Sequence, residues 1–201
     1  YLIGGQLVEA HGEATVTTED PARGEPLTAV PVADETDIDR AVSAAQDAFA
    51  QWQDSAPGDR AAVLERIAAC FERNADELAE LEVRNNGSTA SSLVADIQKA
   101  ADRLRYFAGL VHDLHGETTE VDSTVVSYTV REPVGVVAGI IPFNHPLSFV
   151  GSKIGPALAA GNTIVLKPSE YTPLSALRLA KYIAADDQIP DGVVNIVAGD
   201  G

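Results

Sequence analysis

The chain has 201 residues, 45% of them apolar, which suffices for one sizeable domain or two small ones. Thirty acids against 14 bases give a formal charge of −16 and a pI near 4.4, a field that disfavours nucleic-acid binding through phosphate neutralisation. No run reaches the roughly 18–20 apolar residues of a membrane span, no secretory signal opens the chain, and one cysteine, Cys70, rules out an internal disulfide and fits a cytoplasmic protein.

In chain order, residues 1–33 alternate in short segments broken by glycine and proline, which predicts a hairpin and an extended arm. A helix is expected after Thr36, with Ile38, Ala41, Val42, Ala45, Ala48 and Phe49 on one stripe. Pro57-Gly58 reads as a break and Asp59 as the N-cap of a second helix carrying Ala62, Leu64, Ile67, Phe71 and Leu78. That helix has a possible interruption near Asn74, with Asp76 as a further cap. Asn85-Asn86-Gly87-Ser88 is a turn with Gly87 suited to end a helix. A long amphipathic segment covers 91–114, a polar connector 116–122 and a strand 123–131.

From residue 134 the pattern becomes α/β. An apolar run over 134–141 predicts a strand buried on both faces. A helix over 147–160 follows, stopped by Gly161-Asn162, then a strand over 163–167, a helix over 173–185 and a strand over 193–197. Strand, helix, strand, helix, strand is half of a Rossmann-like parallel-sheet cofactor domain. The expected organisation is an N-terminal arm and helices over 1–120, a bridging or oligomerisation strand over 121–133, and the βαβαβ half over 134–201.

Ligands of open parallel sheets bind outside the carboxyl ends of the strands, and two such ends carry unusual polar groups here. Asn144 follows the first strand between Pro142 and Pro146. A rigid neutral amide suits an oxyanion, and the competing reading is a helix cap. Lys167, Ser169 and Glu170 follow the second. Lysine and carboxylate can clamp ribose hydroxyls, the carboxylate repelling a 2′-phosphate, and the competing reading is a solvated ion pair. Lys153 could reach back to the Asn144 loop or lie on the surface. His145 reads as structural, Cys70 as a buried structural thiol, and His112 with His115 as helix-end histidines rather than a metal site. The spread of acids, with four lysines beside ten arginines, admits simple solubility or halophilic adaptation, the latter being favoured.

Together these residues resemble the aldehyde dehydrogenase superfamily. The resemblance rests on Ile3-Gly4-Gly5 and Pro21-Ala22-Arg23-Gly24-Glu25, then on the helix from Asp37 through Trp52. It continues through Glu132-Pro133-Val134-Gly135, Gly155-Pro156-Ala157-Leu158 with Gly161-Asn162-Thr163, Leu166-Lys167-Pro168-Ser169-Glu170, Thr172-Pro173-Leu174 and Gly192-Val193-Val194-Asn195. The resemblance implies an NAD cofactor, with NADP possible, an aldehyde substrate oxidised to an acid through a thiohemiacetal, and a homo-oligomer. It makes Asn144 the oxyanion donor and Lys153 its support. Ile140, Ile141, Pro142 and Phe143 become the cofactor wall, and Lys167 and Glu170 the ribose clamp.

Three positions depart from the family pattern. Phe143 stands where tryptophan is usual, His145 where phenylalanine or tyrosine is usual, and Asn85-Asn86-Gly87-Ser88 where an acidic, lysine-containing turn is usual. Family members are longer, with their nucleophilic cysteine and general-base glutamate beyond the matched region. The chain is therefore expected to be an N-terminal portion, inactive alone. A non-catalytic assembly module and a CoA-acylating member are the alternatives.

Overall fold

A computed structural model describes residues 1–200. Its centre is a five-stranded mixed sheet in the order β2-β1-β9-β8-β7, built from β1 (Leu2–Ile3), β2 (Gln6–Leu7), β7 (Val136–Ile141), β8 (Thr163–Pro168) and β9 (Val194–Ile196). β7, β8 and β9 run parallel, and β1 joins β9 antiparallel. The Rossmann-like α/β expectation is met, with an N-terminal hairpin extending the parallel half. Two separate hairpins complete the strands, β3 (Thr15–Asp20) with β4 (Glu25–Pro31) and β5 (Thr118–Asp122) with β6 (Val125–Tyr128). The predicted extended arm is thus the first of these hairpins, and the predicted polar connector is a strand of the second. Thr118, Thr119 and Val121 have the β-branched composition that the charged neighbours masked.

Helix α1 (Glu35–Trp52) starts two residues earlier than expected, because the Asp34 side chain caps it by accepting from the Asp37 amide at 3.0 Å. α2 (Pro57–Arg73) begins at the proline that was read as a break. Proline lacks the N–H that a first helical turn leaves unpaired, so it opens the helix, and Asp59 sits in the first turn rather than at the cap. The interruption falls at Asn74, whose side chain donates to the Cys70 carbonyl at 2.8 Å. α3 (Ala75–Asn86) follows and ends at Gly87, whose φ of 79° is the left-handed conformation that glycine tolerates best. α4 (Ala90–Leu110) runs into a single 3-10 turn, Val111–Asp113.

Alternate residues of β8 enter two apolar clusters. Ile164 and Leu166 pack with α2, α4, α5 (Pro146–Ala159) and α6 (Leu174–Ala184), while Val165 packs with Ala41 and Ala45 of α1. Thr163 Oγ1 donates to the Ala45 carbonyl at 2.9 Å and fixes α1 on its face. α4 and α5 approach closely enough that a Cβ on Gly151 would lie 2.9 Å from atoms of Ala100. β7 corrects the expectation of burial on both faces. It is the edge strand, and Ala138 and Ile140 are exposed while Gly139 and Ile141 are buried. Among the described residues, no helix is long and apolar enough to cross a membrane.

Candidate active site

The carboxyl ends of β7 and β8 stand side by side, Ile140 opposite Lys167 and Ile141 opposite Pro168. Cross-strand partners share a face, so Ile140 and Lys167 lie on the α1 side of the sheet. The loops that follow are joined directly: Thr172 Oγ1 donates to the Phe143 carbonyl at 3.0 Å, and the rings of Phe143 and Tyr171 meet edge to face at 6.4 Å. The two polar strand ends therefore form one rim, with Pro142 and Phe143 exposed along it.

Asn144 is exposed, and its side-chain amide makes no hydrogen bond among the described residues. It does not cap α5, because His145 occupies that position and contributes no capping bond either. The Asn144 amide is thus presented outward from a backbone that is held. Asn86 Nδ2 donates to the carbonyls of both Phe143, at 2.7 Å, and Asn144, at 2.9 Å. His145 Nδ1 lies 2.6 Å from a carboxylate oxygen of the buried Asp96, which Lys99 also pairs at 3.2 Å.

Lys167 and Glu170 do not pair with each other. The Lys167 ammonium donates to the carbonyls of Pro168 at 3.3 Å and Gly199 at 3.0 Å, and Glu170 accepts from Ser169 Oγ at 3.3 Å. The lysine is thereby anchored to the backbone beside β9, while the carboxylate keeps acceptor capacity towards the rim. Lys153 is exposed on α5, where its Cβ lies 3.6 Å from the place a Gly139 Cβ would occupy. Its ammonium makes no bond to the Asn144 loop.

Composition alone did not point to the acid that binds both loops. Glu82, in the acid-rich run that reads as a solvated face, is 1% exposed. Its Oε1 accepts from the Leu147 amide, in the first turn of α5, at 2.8 Å and from Ser175 Oγ, in the first turn of α6, at 3.0 Å. Its Oε2 is buried with no hydrogen-bond partner. Burial pushes the Glu82 carboxyl up to about 7, outweighing those two donors, which pull it down. Asn85 completes the grip, donating to the Tyr171 carbonyl at 2.9 Å and accepting from the Leu174 amide at 3.3 Å. The available signal was spacing: 82, 85 and 86 share one helix face immediately before Gly87.

Cys70 lies elsewhere, on α2. Its thiol is pushed up by burial and donates to the Tyr182 carbonyl at 3.6 Å, the environment of a structural thiol rather than a nucleophile. Among the described residues, no cluster of three or more His, Cys, Asp or Glu suits a metal ion, and His112 sits in the 3-10 turn. A cavity of about 690 Å³ lined by Gly4, Trp52, Asp59 and Gly192 opens at the amino end of β9, away from the Asn144 rim.

The family model described as "Aldehyde dehydrogenase family" matches residues 7–201. An aldehyde dehydrogenase of Aspergillus niger is 42% identical over all of this chain and 40% of its own length. The NADP/NAD-dependent aldehyde dehydrogenase PuuC of Escherichia coli is 44% identical over 100% of this chain and 41% of its own. The solved NAD⁺ complex of an aldehyde dehydrogenase from Bacillus cereus superposes with a TM-score of 0.93 at 41% identity, covering 100% of this chain and 41% of that one. The chain thus spans about two fifths of the length of these relatives.

Proposed function

Because the chain belongs to the aldehyde dehydrogenase family, we propose that it forms the N-terminal portion of an NAD(P)-dependent enzyme that oxidises an aldehyde to a carboxylic acid. The observation that carries this reading is the single rim at the ends of β7 and β8, with an unengaged amide on one loop and a lysine and a carboxylate on the other. That donor set fits a dinucleotide. Ile140, Ile141, Pro142 and Phe143 offer an apolar wall, Lys167 a donor to ribose oxygens, and Glu170 with Ser169 acceptors for its hydroxyls. An NAD-type cofactor, when bound, would supply the acceptor for the hydride. A carboxylate at Glu170 favours NAD, and the dual-specificity relative keeps NADP within reach.

Asn144 donates its amide N–H groups to the aldehyde oxygen as negative charge develops there, and as a neutral group it needs no proton of its own. Lys153, halfway along α5, is assigned the support of the Asn144 loop in the full-length enzyme. We place the nucleophilic thiolate and the general base in the part of the relatives' length that this chain does not match, since Cys70 is buried on another element. The working protein is cytoplasmic, with 1–120 as the N-terminal arm and helices of the cofactor-binding domain, 121–133 as the bridge and 134–201 as the first half of that domain.

In the full-length enzyme, Asn144→Ala should lower kcat by about 10²–10³-fold with the dinucleotide KM nearly unchanged. NADH production from an aldehyde by the 201-residue chain alone would sink the division of labour proposed here. So would a reading frame that stops after Gly201.

The β5–β6 hairpin favours an added role in assembly. Val121, Val126, Tyr128 and Val130 are 61%, 60%, 71% and 68% exposed. A lone two-stranded hairpin is marginal in water, so we propose that it pairs with a second copy in a homo-oligomer. Val126→Lys should shift the sedimenting species towards monomer; an unchanged mass would remove the hairpin from the interface.

A further inference from the structure

Resting on the reading above, we infer that Glu82 is a positioning residue: its side chain aligns the Asn144 loop with the Lys167–Glu170 loop, and its ionisation loosens that alignment. One oxygen of this side chain is bonded to the starts of both helices that follow the two loops. Asn85 and Asn86, on the same face of α3, hold the loop carbonyls themselves. Any shift of one loop relative to the other must therefore break a bond to the last turns of α3.

The orphaned Oε2 makes the protonation state matter. In the ionised form that oxygen shares a buried charge with no partner of its own, and the two bonds to Oε1 with the dipoles of two helix N-termini offset its burial only in part. Asp96 of α4 opposes the charge and His145 favours it. With burial holding the carboxyl near 7, both forms are populated around neutrality. Any opening that lets water reach the Leu147 amide also lets it reach Glu82, so ionisation favours opening and the two loops loosen as pH rises.

The test is ¹³C NMR of the Glu82 carboxyl, with exchange protection of the Leu147 amide, corrected for the intrinsic rate, and Tm measured on the same samples. We expect the carboxyl to titrate near neutrality and Leu147 protection to fall by about threefold or more from about pH 6 to 8 as Tm falls. Glu82→Gln, which keeps the shape and one acceptor, should flatten both trends. In the full-length enzyme the dinucleotide KM should rise over the same range in the wild type and stay level in the variant. A carboxyl silent between about pH 5.5 and 8.5, or Leu147 protection that rises from about pH 6 to 8, would overturn the inference. If Glu82→Gln does not fold, the wild-type titration and the Leu147 amide still decide it. A wild-type enzyme that oxidises no aldehyde would refute the proposed function and leave these NMR outcomes to be judged independently.

Discussion

β7 and β8 are neighbours and equal in length, yet β8, which carries a threonine and a lysine, is buried along nearly its whole length while the wholly apolar β7 exposes alternate residues. Strands flanked on both sides and covered on both faces have no solvated positions. An edge strand with α1 set back from it does. Continuous apolar sequence thus marks what a strand is suited to cover, and the exposed side of β7 is where the proposed cofactor wall stands.

The contrast is sharpest in the core. Ile164→Ala in β8 removes a side chain that is 0% exposed and should cost about 2–5 kcal/mol, read from the urea midpoint. A loss below about 1 kcal/mol would mean that β8 is less tightly packed than its burial implies.

Next comes the carboxylate shared by the helices after these two strands. Glu82 is raised in the fold from 4.5 to about 7, so the folded state holds its proton more firmly than the unfolded one. The stabilisation is whole below about pH 4.5 and is lost as pH climbs to about 7, amounting to on the order of 3 kcal/mol at about 1.4 kcal/mol per pH unit. Denaturation midpoints across that window should fall in the wild type and fall less in Glu82→Gln.

Smaller again is Gly139→Ala, at the seam between the strands. Its new Cβ would come 2.5 Å from Leu166 Cδ2 and 3.2 Å from Ile164 Cδ1, an overpacking that should cost about 1–2 kcal/mol. Smallest is Ile140→Ala, which should leave the stability of this chain within about 0.5 kcal/mol because the side chain is 70% exposed. In the full-length enzyme the same change should weaken dinucleotide binding. If it destabilises the chain instead, the two strands differ less than they seem to.

The local signals in the sequence were sound where the partner is near. Gly87 ends α3, and Gly161-Asn162 separates α5 from β8, with Asn162 Oδ1 accepting from the Val134 and Gly135 amides at 2.7 and 3.0 Å. The pairing of the Asn144 and Lys167 loops followed from parallel topology. What stayed hidden depends on distant partners. Glu82 meets Leu147 and Ser175, 65 and 93 residues away, and in an acid-rich helical run only its place on one face with Asn85 and Asn86 sets it apart from a solvated carboxylate. The exposed face of β7 was equally illegible, since what covers a strand is a property of the sheet and its helices and not of the strand.

The close seat of Gly151 against Ala100 has a consequence for synthesis. Ten of the 14 residues of α5 are buried, so the newly emerged segment is a sticky one. α4 leaves the ribosome first, and a helix with no side chain at the crossing point can dock on it without waiting for β8 or β9 to be made. A bulkier residue at 151 would leave that apolar helix exposed while the rest of the chain is still being translated, so its harm should register in the yield of folded protein as well as in the stability of what does fold, where it meets the α4 backbone.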